Sequence, residues 1–283
     1  MIEFIVPEHT SHSAINSYIR CGKAYELGKL GIQESPAWWL LGGSAVHTAT
    51  EWLDKDEWDG SPEEAFFYAF HLECQDARES GWEDEGLWRK AGYGARAQGY
   101  DHWMRQGPLY VKQWADRGFM WDGVEVDVSR TLPSGIIVKG YVDRAQLDRS
   151  TATWSIVDLK TGSTRPDSDQ QLGIYTVLFK QWLARQTKYT GPNFTDPWGG
   201  WSFTAHNYMF KDDEFYEMDV SNWTLDTVDT MAQEWYRGLE SGVFLPNRGK
   251  QCGTCGLARG CYLASGDTAT TRAFDRLNPN YGE

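Results

Sequence analysis

Gly140-Tyr141-Val142-Asp143-Arg144 and, starting ten residues after it, Trp154-Ser155-Ile156-Val157-Asp158-Leu159-Lys160-Thr161-Gly162 decide the reading of the fold. In an extended strand successive side chains point to opposite faces, so Asp158 and Lys160 share one face while Val157 and Leu159 share the other. Segments 136–147 and 153–161 both alternate in this way, and the turn-like Asp148-Arg149-Ser150 between them predicts a short hairpin. Such a hairpin brings Asp143, fifteen residues earlier, alongside Asp158. Two carboxylates and an ammonium then converge at one end of a sheet.

Working outward, residues 119–131 alternate as a further strand region and Pro133-Ser134-Gly135 reads as a turn. Before them the period is helical. Residues 11–30 read as one helix, with Ser11 or Ser13 as N-cap and Gly31 past its end, and 42–55 as a second that opens at Gly42-Gly43. Residues 62–79 and 86–116 carry aromatics at three- and four-residue intervals, and Gly107-Pro108 is expected to break the latter. Downstream come a helix at 168–186, a Gly/Pro-rich loop at 190–200, strands near 201–210 and 214–220, and a helix at 222–240. The last forty residues are Gly-rich and irregular. Helices, a consecutive strand group and more helices predict an α/β protein whose mixed sheet is flanked by helices.

A chain of 283 residues, 41% hydrophobic and 14% aromatic, is globular and can bury a substantial core, which excludes a disordered polypeptide. Most of its fifteen Trp should pack the core, while any exposed ring is a surface on which a base can stack. No apolar run approaches the roughly 20 residues of a membrane helix. The start, MIEFIVPEHT, lacks a basic region and a cleavage pattern, so a cytoplasmic protein is expected.

The net charge of −13 opposes nucleic-acid binding at first sight, but the charge is uneven. Residues 51–89 hold thirteen acids against three bases, whereas 130–190 hold nine bases against five acids. A local basic surplus can recruit phosphate on an acidic molecule.

Paired carboxylates bind a hard divalent cation, which polarises a phosphoryl oxygen and activates water, and a nearby lysine stabilises charge that develops in the transition state. His47 and Glu51, four apart on a helix, share a face and add an imidazole and a further acid. Gln171 and Tyr175 share a helical face after the last strand of the group. Singly, these are a structural histidine, a surface lysine and the polar edge of an amphipathic helix.

Taken in order, G-x-x-x-H-x-x-x-E (Gly43, His47, Glu51), G-x-x-D-R, D-x-K-T-G and Q-x-x-x-Y (Gln171, Tyr175) resemble the motif series of RecB-like nucleases in the PD-(D/E)XK superfamily. The resemblance covers about residues 11–263. It implies a restriction-endonuclease-like core in which His47, Asp143, Asp158 and the Leu159 carbonyl hold Mg2+ or Mn2+ and Lys160 is catalytic. It implies that Gln171 and Tyr175 support the site or contact the DNA backbone, with Glu51 a more distant supporting acid. The activity implied is hydrolysis of DNA phosphodiester bonds, exonucleolytic from free ends, in recombination, replication, repair or CRISPR adaptation. The chain has no G-x-x-x-x-G-K-[ST], so any unwinding falls to a partner such as a helicase, or the substrate is single-stranded. A recombinase or an integration complex is the other kind of partner expected.

Five Cys in a chain without an export signal argue against a disulfide framework. Cys252-x2-Cys255-x5-Cys261 has metal-ligand spacing, and Cys21 is the expected fourth ligand, with Cys74 in reserve. Spacing alone fits zinc as well as iron–sulfur. The resemblance extends to family members, CRISPR-associated and phage-encoded exonucleases among them, in which one N-terminal and three C-terminal cysteines hold a 4Fe–4S cluster. It implies one nuclease domain over 1–283, with 11–40 and 245–263 meeting at that cluster. Two rival readings are a catalytically silent DNA-binding or assembly protein with the same fold, and an enzyme whose cluster does redox chemistry. The intact Asp143, Asp158 and Lys160 oppose the first, and the missing C-x3-C-x2-C run opposes the second.

Overall fold

The computed structural model describes residues 4–31, 34–91, 97–186, 200–249, 251–252, 255–258 and 261–265. The loop expected over 190–200 lies, as far as residue 199, outside the described residues. So do Gly253, Thr254, Arg259 and Gly260 of the cysteine motif, and everything beyond residue 265.

In chain order the elements are β1 (His9–Ser11), α1 (His12–Arg20), α2 (Gly22–Lys29), α3 (Trp38–Asp54), α4 (Pro62–Glu79), α5 (Tyr100–Asp116), β2 (Gly123–Asp127), β3 (Arg130–Thr131), β4 (Ile137–Lys139), β5 (Tyr141–Asp148), β6 (Thr153–Lys160), α6 (Gln170–Leu183), β7 (Ser202–Met209), β8 (Glu214–Glu217), α7 (Leu225–Glu240) and α8 (Tyr262–Ser265). Five strands form the main sheet in the order β2-β5-β6-β7-β8. All neighbours are antiparallel except β6 and β7, which run parallel and are joined through α6. β1, β4 and β3 form a second small sheet that anchors the start of α1.

The alternation of β6 sorts the core. Val157 and Leu159 pack with Tyr208, Phe210 and the inner faces of α3, α4 and α5. Trp154 and Ile156 face the other way, onto α6, α7, Val142 and Ala205. Helices therefore cover both faces of a mixed sheet, as expected. None of the fourteen described Trp is fully exposed, which is the expected burial of large aromatics. No helix among the described residues is long and apolar enough to cross a membrane.

The expected helix over 11–30 is broken at Cys21, whose extended backbone (φ −168°, ψ 101°) both ends α1 and opens α2. Contacts distant in sequence override the helical period there: Asn247 donates its amide to Cys21 Sγ at 3.4 Å, and its side chain donates to the Arg20 carbonyl at 3.1 Å. The helix expected at 42–55 starts earlier, at Trp38, and runs through both glycines.

The helix expected from 86 begins only at Tyr100, after a short 3-10 turn at Glu85–Leu87, and it is not broken at Pro108. Proline removes one donor, but tertiary packing carries α5 across it. A Cβ on Gly107 would lie 2.0 Å from the Phe66 ring, so this glycine lets α5 press directly on α4, with Gly107 and Pro108 both buried. Gly140 likewise splits one expected strand, handing β4 to the small sheet and β5 to the main one.

Candidate functional site

The β5–β6 ladder ends at the pair Arg144–Val157. One step further on, Asp143 and Asp158 would be neighbours, but the backbone bond is replaced: Asp143 Oδ2 accepts the Leu159 amide at 2.7 Å. At this end of the sheet a cleft of about 640 Å3 opens. His47, Glu51, Asp143, Asp158, Leu159, Lys160 and Gln171, all expected site residues, line it.

α3 carries His47 over the sheet end, and Nδ1 of that ring lies 3.5 Å from Asp143 Oδ2. Gly43 makes the approach possible, because a Cβ there would stand 2.9 Å from Thr161 Oγ1. Thr161 and Gly162, just past β6, line the cleft as well.

Lys160 Nζ lies 2.6 Å from Asp158 Oδ2 and donates to Gln171 Oε1 at 2.8 Å, while the Gln171 amide donates to Asp158 Oδ1. Gln171 thus fixes both residues of the D-x-K pair. Tyr175 stands behind it, edge-on to His12 at 6.3 Å between ring centroids, and burial pushes its phenol up to about 12. Glu51 is paired with Lys55 at 2.5 Å.

Asp158 is 3% exposed, and burial, then the Asp143 charge, pushes its carboxyl up to about 6. Its Oδ2, although beside the Lys160 ammonium, receives no hydrogen bond in proper geometry. An imidazole and neighbouring carboxylates at one end of a cleft are the donor set of a hard divalent cation, so the residues present fit one.

Two residues near this cleft were missed by the sequence reading. Glu125 on β2 lines it, and burial, then Asp143, pushes its carboxyl up to about 7. Among the described residues, His47, Glu125 and Asp143 are the one group of three that each offer a ligand atom within 4.8 Å of the others; the expected ligand Asp158 lines the same cleft but is not part of that group. His12, at the start of α1, lies near Lys160, and burial with that neighbouring charge lowers its imidazole to about 4. It is therefore neutral at pH 7. A lone Glu in a strand and a His at a helix start carry no motif, so no signal in the sequence singled them out.

The N-terminal and C-terminal cysteines also meet. Cys21, Cys252, Cys255 and Cys261 line one cavity of about 790 Å3, closed on one side by Leu27 and Leu257. Cys74 is elsewhere, on the buried face of α4 and 2% exposed. No three of the four cavity thiols lie within 4.8 Å of one another.

Residues 9–262 match the sequence profile of the PD-(D/E)XK nuclease superfamily. The chain is also similar to the Gene 69 protein of Mycobacterium phage D29, 23% identical over 89% of this chain and 95% of the relative. It is 24% identical to the Gene 69 protein of Mycobacterium phage L5, over the same shares of the two chains.

Proposed function

From the premise that the chain belongs to the PD-(D/E)XK nuclease superfamily, we propose that it is a RecB-like DNA exonuclease dependent on Mg2+ or Mn2+. The observation that carries this reading is the convergence of His47, Asp143, Asp158 and Lys160 in one cleft at the end of the β5–β6 pair. His47, Asp143, Asp158 and the Leu159 carbonyl would hold the cation. A divalent ion there supplies electrophilic activation of the scissile phosphate and of water.

The protein's own groups do the rest. Lys160, held by Gln171, presents an ammonium to the phosphoryl oxygens as negative charge grows on them. Asp143 stays oriented by the Leu159 amide. Trp39 and Leu40 wall the cleft beside the acids and offer apolar surface to nucleotides.

The four cavity cysteines would hold a 4Fe–4S cluster that ties α1 and α2 to the C-terminal segment. Four thiolates serve zinc as well as iron–sulfur, and the resemblance of the cysteine pattern to cluster-bearing nucleases is what favours the cluster. Asn247, bonded to Cys21 Sγ and close to Cys252, supports the pocket wall. The superfamily supports DNA as the substrate, and the phage source of the relatives fits action inside a host cell.

The test is digestion of end-labelled single- and double-stranded DNA with Mn2+ by the anaerobically purified protein and its Lys160→Ala variant. Progressive shortening from ends, lost in the variant while the fold and the brown absorption persist, supports the reading. Activity retained by Lys160→Ala removes the lysine from the mechanism. A colourless protein containing zinc refutes the cluster.

A further inference from the structure

Glu125 sits in the middle of β2, between Val124 and Val126, which pair with Arg144 and Val142. The register is unchanged on both sides, so Glu125 stands opposite Asp143 without a ladder pairing of its own. Its φ of +49° is one that side chains other than glycine rarely adopt. Acids directly opposite one another on adjacent strands repel, and a part-buried carboxylate is costly unless its charge is met.

The nearest fixed positive charge meets it only in part. Arg144, fully buried, is 3.5 Å from Glu125 but is committed to Asp54 at 2.6 Å, to the Asp143 carbonyl at 2.7 Å and to Thr50 at 3.1 Å. Glu125 is 23% exposed, lines the catalytic cleft, and its ligand oxygen lies within 4.8 Å of those of His47 and Asp143. Asp158, paired with Lys160 at 2.6 Å, lines the same cleft.

We propose that Glu125 is an additional side-chain ligand of the divalent cation, beside His47 and Asp143, and that it sets the affinity of the site. This rests on the nuclease reading of the cleft, whose motif series does not include Glu125. Mg2+ takes oxygen ligands and keeps several waters, so the imidazole beside the two carboxylates of Glu125 and Asp143 favours Mn2+ over it. The left-handed turn at Glu125 is what aims its carboxylate at the ion in place of an ordinary strand position.

The test is Mn2+ titration of the full chain, without DNA, by calorimetry and by the spin-resonance signal of free Mn2+. Glu125→Gln should weaken Mn2+ binding at least about tenfold. Glu125→Asp keeps the charge beside Arg144 but withdraws the oxygen, and should weaken it too; without metal Glu125→Gln, which removes the repulsion with Asp143, should melt no lower than wild type. If both bind Mn2+ as wild type does while Asp143→Asn loses binding, Glu125 is not a ligand and the nuclease reading stands. If wild type itself binds no Mn2+, or Asp143→Asn leaves binding intact, both readings fall.

Discussion

Asp143 Oδ2 accepts the Leu159 amide at 2.7 Å, so a carboxylate closes the strand pair where the main-chain ladder stops. One oxygen of the same group faces the His47 ring at 3.5 Å. Structural and chemical roles therefore coincide in one side chain, and two substitutions separate them. Asp143→Asn keeps an acceptor and should fold with an unchanged melting temperature, yet lose cleavage by at least about a hundredfold. Asp143→Ala strands the Leu159 amide and should also lose about 1–3 kcal/mol of stability in urea unfolding. Equal stability of the two variants would contradict this division.

Arg144 is the buried counterpart of that relationship. It joins β5 to α3 through Asp54 and Thr50, lies 5.7 Å from the Trp114 ring centroid, and has no exposed side-chain surface. Arg144→Met should cost about 3–5 kcal/mol, because it leaves Asp54 charged and unpaired. Adding Asp54→Asn should recover part of the loss, and urea denaturation of the single and double variants measures it. Arg144→Lys should not substitute, since an ammonium cannot reach the same three acceptors.

Gly43 predicts a loss of rate with little loss of fold. A methyl group there would meet Thr161 Oγ1 at 2.9 Å and push α3, with His47, away from the β6 end. A displacement of that kind costs up to about a hundredfold in rate. Gly43→Ala should lower kcat by about ten- to a hundredfold, and Thr161→Ala in the same chain should restore most of it. Failure of the second change to rescue the first would show that the close approach is not what matters.

Asp158 predicts a pH dependence for the cation-free protein. Its carboxyl titrates near 6 in the folded state against an ordinary 3.8, so the folded state holds the proton more tightly. The corresponding stability is present below about pH 4 and is lost as pH rises through 6. Asp158→Asn removes that loss. In EDTA, the melting temperature of the variant should gain on wild type between pH 4 and pH 7, and a gap that stays constant would contradict the burial argument.

What the sequence made legible follows from how local each signal is. Asp158 and Lys160 were readable because a strand fixes alternation within a few residues, and His47 with Glu51 because a helix fixes spacing. Glu125 was not, since its place in the cleft depends on a cross-strand register and on one unusual dihedral angle. The helix break at Cys21 escaped notice because Asn247, over two hundred residues away, imposes it. Pro108 misled for the same reason: packing of Gly107 on Phe66 outweighs one missing hydrogen bond. The meeting of Cys21 with Cys252, Cys255 and Cys261 was legible only through family resemblance, as no local rule connects the chain's two ends.

If His47, Asp143 and Asp158 share one divalent ion, crystals soaked in Mn2+ should show a single strong anomalous peak within about 2.5 Å of His47 Nδ1 or Nε2 and of an oxygen of each aspartate. A peak bound elsewhere, or none in this cleft when the rest of the structure is well ordered, would contradict it.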